Sequence, residues 1–414
     1  MRDLFRWVKR GMLHSLSTRC KFQRGALAAF LLLVLSGGRT LSQQPAGAVL
    51  AEQESLASAI SPQAWVHVEA SIERALAWLA RQQKGDGSFN APMTAQPAAT
   101  SLAVMAFISK GHLPGEGPYG RQLDAAIDFV VRCQQPNGLL AATGAGQLEP
   151  QGLQLQTSVV TTGASSGKTA NYNHGISGLM LTEVYGLTDR ARCAKLKPAI
   201  LKALEFSRRD QIAGKTNPQD LGGWRYLNYR TSGDSDLSVT SWQLMFYRSA
   251  RNAEFPVPKQ YADDAVGYVL RCWDQQQGIF YYKRGSEQRW SRGMVGAGIL
   301  CLALGGQPDE RISTRAGDWL LTRPFSQFGE TMGTGDRFFY STYYCSQAMA
   351  QLGGRHWRQF FPQLANVLLQ GQEPSGEWPA EPYANDRTYG NTYTTALAVL
   401  SLTPPLQLLP VYQR

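Results

Sequence analysis

The chain has 414 residues, 43% hydrophobic, 17% charged and 10% aromatic, the balance of a folded globular protein rather than a disordered or fibrous one. Its net charge of +10 invites a nucleic-acid reading, but eight of the 41 Lys/Arg and only one acid fall in residues 1–48, which leaves the remainder at +3. No basic run able to track phosphates is left, so nucleic acid is not an expected partner.

Residues 1–48 have the order of a secretory signal. A basic stretch precedes an apolar run from Ala26 to Leu35, and small residues follow, ending in Ala46-Gly47-Ala48. The apolar run is about half of the roughly 20 residues that span a bilayer. The segment is therefore expected to be a signal peptide or, given its long basic region, an N-terminal membrane anchor. Either reading implies export to the periplasm, the cell envelope or the outside. Contact with a membrane is expected only through this segment, if it is left uncleaved. Residues 49–64 read as a linker.

From residue 65 to residue 414 the chain repeats. Each unit has a helix, a turn built on Gly with an aromatic or apolar residue just after it, and a second helix. The turns fall at Gly87, Gly138, Gly223, Gly278, near Gly329 and at Gly376. They are roughly 50 residues apart, the length of a helix–turn–helix unit with loops. One interval is longer, and the excess, residues 141–170, is rich in Gly, Gln, Ser and Thr and reads as a loop insertion. Gln83, Gln134 and Gln372 each stand four residues before a turn Gly, where their amides can bond backbone groups at the helix end.

First helices are amphipathic, with Ile72, Leu76 and Leu79 on one face and Glu73, Arg74 and Arg81 off it. Second helices, such as Gly293–Leu300, are apolar and small on nearly every side. A helix apolar all round must be covered all round. Two concentric shells do this, with second helices inside and first helices outside. The expected fold is all-α: an (α/α)6 toroid of about six helix pairs, with an open solenoid as the competitor.

The motifs Gln83–Phe89 (QxxDGSF) and Gln372–Trp378 (QxxSGxW) resemble the QW-type repeat of terpenoid (squalene) cyclases and of protein prenyltransferase β subunits. The region around Asn171-Tyr172-Asn173-His174-Gly175, Gly222-Gly223-Trp224-Arg225-Tyr226 and Asp234-Ser235-Asp236 is similar to exported bacterial prenyltransferase/squalene oxidase repeat proteins. The resemblance covers about residues 65–414 and implies the toroid fold; it does not imply one activity.

Cyclases of this kind protonate an alkene with the middle Asp of a DxDD motif. This chain has Asp234-Ser235-Asp236-Leu237, so the last Asp is missing; the general acid would be Asp236, with Asp234 beside it. The plainer reading has Asp234 or Asp236 capping the helix that follows. Prenyl transfer needs zinc held by Asp, Cys and His. His174 is the one candidate ligand and lacks the accompanying Asp-x-Cys, so neither a metal nor a cofactor is expected. Five widely spaced cysteines read as buried small apolar residues.

The starts of the second helices carry polar and aromatic residues: Tyr172 and His174; Trp224 and Tyr226; Trp290 and Arg292; Tyr340, Tyr343 and Tyr344; Tyr389 and Tyr393. In a toroid these starts converge on one rim. They are the expected ligand-binding residues, for an isoprenoid, a lipid or another small ligand; envelope proteins are the expected macromolecular partners. The function read from the sequence is an exported toroid that binds at this rim without standard cyclase or prenyltransferase catalysis. The alternative is a terpenoid cyclase-like enzyme using Asp236.

Overall fold

The computed structural model describes residues 56–142, 161–227, 234–285, 290–332, 335–381 and 389–413, apart from the side chains of residues 161–167. The leader, residues 1–48, lies outside them. The described residues hold twelve α-helices and one two-stranded β-ribbon. In chain order the helices are α1 (Pro62–Arg81), α2 (Ala98–Ser109), α3 (Gly120–Arg132), α4 (Thr161–Tyr185), α5 (Arg190–Ile212) and α6 (Leu237–Asn252). There follow α7 (Lys259–Arg271), α8 (Arg292–Leu304), α9 (Glu310–Leu321), α10 (Phe338–Leu352), α11 (Gly354–Gln370) and α12 (Gly390–Leu402).

The even-numbered helices form the inner ring, in the order α2, α4, α6, α8, α10, α12 and back to α2. The contact of α12 with α2 closes it, which excludes the open solenoid. Each inner helix packs on the outer helix that follows it, and α12 packs on α1. The division follows the sequence pattern. All twelve residues of α2 are buried, as a helix of small and apolar residues on nearly every side requires. In α1 the buried set includes Val68, Ile72, Ala75, Leu76 and Leu79, one stripe at helical spacing. Inner helices run parallel and close together: a Cβ on Gly296 of α8 would stand 2.8 Å from the backbone of Tyr344 and Cys345 on α10.

The repeat turn has a cross-unit logic. Gln83 Nε2 donates to the carbonyl of Gly87 and to that of Gln122 in the next outer helix. Gln134 pairs in the same way with Gly138 and Ala199, Gln211 with Gly222 and Tyr261, and Gln372 with Gly376 and Ser71. One amide therefore closes its own turn and ties it to the neighbouring unit. The turn Gly has two reasons to be Gly. Gly222 has φ +88°, and a Cβ on it would lie 2.1 Å from the carbonyl oxygen of Asp264. It is Gly222, not Gly223, that takes the left-handed turn position.

Two boundaries differ from the sequence reading. The expected linker is part of the ring from residue 56: Leu56 is buried and its carbonyl accepts from Trp357 Nε1, and α1 starts at Pro62 with Ser61 as its cap. The expected loop at 141–170 is helical from Thr161, so its last ten residues lengthen α4. Small and polar residues there read as loop on composition, but they continue a helix already anchored downstream by tertiary packing.

Candidate functional site: a tyrosine network at one mouth of the ring

Parallel inner helices bring their N-terminal ends to one mouth. Three of them are linked there by hydroxyls, α6 and α10 near their starts and α4 through Tyr172, the twelfth residue of a helix that begins at Thr161. Tyr172 (α4) reaches Ser238 (α6) at 2.8 Å, and Ser238 reaches Tyr340 (α10) at 2.6 Å, across the ring. One step deeper, Ser241 and Tyr344 meet at 2.6 Å. On the α6 side Tyr226 and Tyr282 share a hydrogen bond of 2.8 Å, and the rings of Tyr172 and Tyr226 lie 6.0 Å apart. Tyr172, Tyr226, Tyr282 and Tyr340 are all partly exposed.

Beside this network lies a buried ion pair. Asp236 is the N-cap of α6, its Oδ1 accepting from the Val239 amide at 2.8 Å. Its Oδ2 stands 3.6 Å from Nη1 of Arg225, too far for a hydrogen bond, and Nε and Nη1 of Arg225 have no hydrogen-bond partner among the described residues. The guanidinium lies over the Tyr226 ring at 5.0 Å and near Tyr282 at 5.9 Å. Burial raises Asp236 to about 6 against the pull of the Arg225 charge and the Val239 amide. Two nitrogens of the Arg225 guanidinium are thus without a hydrogen-bond partner among the described residues, beside the Tyr226 and Tyr282 rings.

The other expected site residues divide by the work the fold gives them. His174 does not open a helix; it lies well inside α4. Its Nδ1 accepts from the Leu140 amide, and its Nε2 meets the Ala203 carbonyl and the Ser207 hydroxyl. Thr100, Thr240 and Thr395 accept the corresponding amide in other units, from Phe89, Trp224 and Trp378. His174 is the second unit's version of that threonine. Burial holds its ring far on the neutral side, at about 3.

Trp224 is fully buried and donates to the Ser207 carbonyl. Asp234 accepts from the amide and hydroxyl of Thr216. Arg292 is fully buried on Asp336, with further bonds to the carbonyls of Pro324 and Glu330. Trp290 packs edge-on against Trp319 of outer helix α9, below Arg323, away from the network. Tyr389 and Tyr393 pack on each other at the start of α12.

Tyr343 and Tyr344 lie deeper and fill the ring. Tyr343 stacks on Trp242 at 5.3 Å, and its hydroxyl meets that of Tyr412. The best-formed hollows are elsewhere. One of about 20 Å³, room for a single water, lies at the opposite mouth against Gln347, Thr403 and Tyr412. An open groove of about 370 Å³ runs along the α6–α7 connection at Phe255 and Val257. Among the described residues no group of three His, Cys, Asp or Glu is placed to hold a metal ion. No disulfide joins the five described cysteines to one another, and four of them are buried.

Arg225, Ser238 and Tyr282 were not singled out from the sequence as site residues. A signal existed: Tyr226 and Tyr282 each stand two residues after the aromatic of a repeat turn, Trp224 and Phe280.

No protein-family model matches the sequence, and no curated protein matches it. Solved structures do. A GH76 α-1,6-mannanase from Salegentibacter, an inactive variant in complex with α-1,6-mannotetrose, aligns over 82% of this chain and 99% of its own, at 12% identity and a TM-score of 0.58. The GH76 α-mannanase of Bacteroides thetaiotaomicron aligns over 82% and 95%, at 12% identity and 0.52. A variant of the type II terpene cyclase MstE from Scytonema, with the product merosterolic acid A, aligns over 84% and 100%, at 16% identity and 0.50. The protein is an α/α toroid, the fold shared by these glycoside hydrolases and terpene cyclases.

Proposed function

We propose that this is an exported binding toroid whose inner-helix N-terminal mouth takes a small ligand rich in hydroxyl or amide groups, without standard cyclase or prenyltransferase catalysis. The observation that carries this reading is the Arg225 guanidinium, which has two nitrogens without a hydrogen-bond partner among the described residues and lies beside Tyr226 and Tyr282 at the edge of a hydroxyl network. Aromatic faces with a few fixed polar groups suit a ligand that is apolar on its faces and polar at its edges, such as a sugar or a peptide end. An isoprenoid would need a deep apolar cavity, and Trp242, Tyr343 and Tyr344 occupy the centre of the ring. Export rests on the order of residues 1–48.

The competing reading is a terpenoid cyclase-like enzyme with Asp236 as general acid. Its support is that burial keeps Asp236 protonated up to about pH 6. Against it stand the engagement of Oδ1 in capping α6 and the raised pKa itself, which makes Asp236 a weaker acid where alkene protonation needs a stronger one.

The test is a binding screen by titration calorimetry with oligosaccharides, short peptides, squalene and prenyl diphosphates. The expected hit is a polar ligand whose affinity falls at least tenfold in Arg225→Met and in Tyr226→Ala, and is unchanged in Trp290→Ala. A cyclised product from squalene or a prenyl diphosphate that disappears in Asp236→Asn would overturn the proposal in favour of the cyclase.

A further inference from the structure

The opposite mouth of the ring, at the C-terminal ends of the inner helices, is closed by residues 404–413. Two single-turn helices, Pro404–Leu406 and Pro410–Tyr412, lie across it. Leu409 and Val411 are buried, and the Tyr412 hydroxyl enters the ring to meet Tyr343 and the Met245 sulfur.

The manner of holding is specific. Three consecutive residues have one backbone polar group each taken by a side chain of a different inner helix. Asn252 of α6 donates to the Pro410 carbonyl at 3.1 Å. The Val411 amide donates to Glu183 Oε2 of α4 at 3.2 Å. Gln351 of α10 donates to the Tyr412 carbonyl at 2.8 Å. Glu183 is itself aimed by Ser249, whose hydroxyl donates to Oε1 at 2.5 Å and is bonded in turn by Thr182.

Apolar packing alone would keep a chain end in place. A carboxyl group on a residue 2% exposed, with no cation bonded to it among the described residues, is a costly device for the purpose. What it adds is recognition of a backbone amide. Side chains that bond a peptide's backbone hold any sequence that fits, while pockets for alternate side chains choose among them. Here the pockets take an apolar residue followed by an aromatic one.

We propose that the C-terminal mouth is a peptide-binding site, filled in cis by Leu409–Tyr412 and able to take in trans a short apolar–aromatic peptide segment in the same single-turn conformation. This site is separate from the tyrosine network and does not depend on a ligand there.

The probe is a fluorescein-labelled synthetic peptide of residues 404–414, titrated into the full-length protein and followed by fluorescence anisotropy. In wild type the cis segment competes and capture is weak. Tyr412→Ala loosens the cis segment and is expected to bind the probe at least tenfold more tightly than wild type. Adding Asn252→Ala and Gln351→Ala to that variant is expected to abolish capture. A Tyr412→Ala protein that retains its helical circular dichroism and cooperative unfolding yet captures no probe overturns the proposal. If that variant does not fold, native-state hydrogen exchange on wild type decides. Exchange of the Val411 amide by local opening, with inner-helix amides still protected, supports a releasable segment. Exchange of Val411 only through global unfolding overturns it.

Discussion

Glu183 offers the sharpest physical test of the structure. Burial raises its carboxyl from the ordinary 4.5 to about 7, against the opposing pull of the Ser249 hydroxyl and the Val411 amide. Below pH 4.5 the group is protonated in both folded and unfolded chains and adds no pH dependence. Between about 4.5 and 7 the unfolded chain ionises while the folded one keeps its proton. The folded state then binds more protons, so stability falls as pH rises through this window and levels off above it. A shift from 4.5 to about 7, at 1.36 kcal/mol per unit, corresponds to about 3 kcal/mol. Glu183→Gln is neutral throughout and can still accept from Val411 and donate to Ser249. Urea denaturation of both proteins from pH 4.5 to 8.5 gives the difference directly. The pH terms from Asp236 and His174 are common to both proteins and cancel. The variant should match wild type near pH 4.5 and exceed it by about 3 kcal/mol at pH 8. A difference that does not change with pH would refute the assignment of a buried, uncompensated carboxyl to this position.

Other expectations follow from the same contacts. His174→Ala strands the Leu140 amide and opens a cavity beside Phe206, and should cost about 3 kcal/mol by urea denaturation while leaving ligand affinity at the N-terminal mouth unchanged. Arg292→Met leaves Asp336 buried without its partner and should cost about 3–5 kcal/mol, again with no selective effect on binding. Gln211→Ala removes the donor to the Gly222 and Tyr261 carbonyls and should lower stability by about 2 kcal/mol in the same assay, an effect local to the junction of the third and fourth units. Residues 1–48 fused to alkaline phosphatase should give periplasmic activity, and loss of that activity on replacing Leu31, Leu32 and Leu33 by Asp would confirm export through the apolar run.

How far the sequence reads ahead of the structure differs between the ring and its mouth. The unit is a local object. A Gly able to take positive φ, an aromatic two residues on, and a Gln before the turn announce it within a dozen residues, as Gln83–Phe89 does. Apolarity on every side of Gly293–Leu300 already requires that helix to lie inside another layer. Six units and two shells follow from those local facts, while closure of the ring rests on the contact of α12 with α2. The mouth is not local. Which residue faces it depends on the rotation of each helix about its axis, and that is set by packing on neighbours far away in the chain. His174 and Tyr172 are two residues apart, yet one replaces a threonine in a buried repeat position and the other joins Ser238, 66 residues on. The same holds at the opposite mouth, where Val411 reaches Glu183 across 228 residues. The sequence determined the repeat and its two kinds of helix, because turn geometry and hydrophobic period are written into neighbouring residues. Only the tertiary structure decided which tyrosines meet, that two Arg225 nitrogens have no hydrogen-bond partner among the described residues, and that residues 404–413 fill the opposite mouth, because each depends on contacts between helices that the sequence holds far apart.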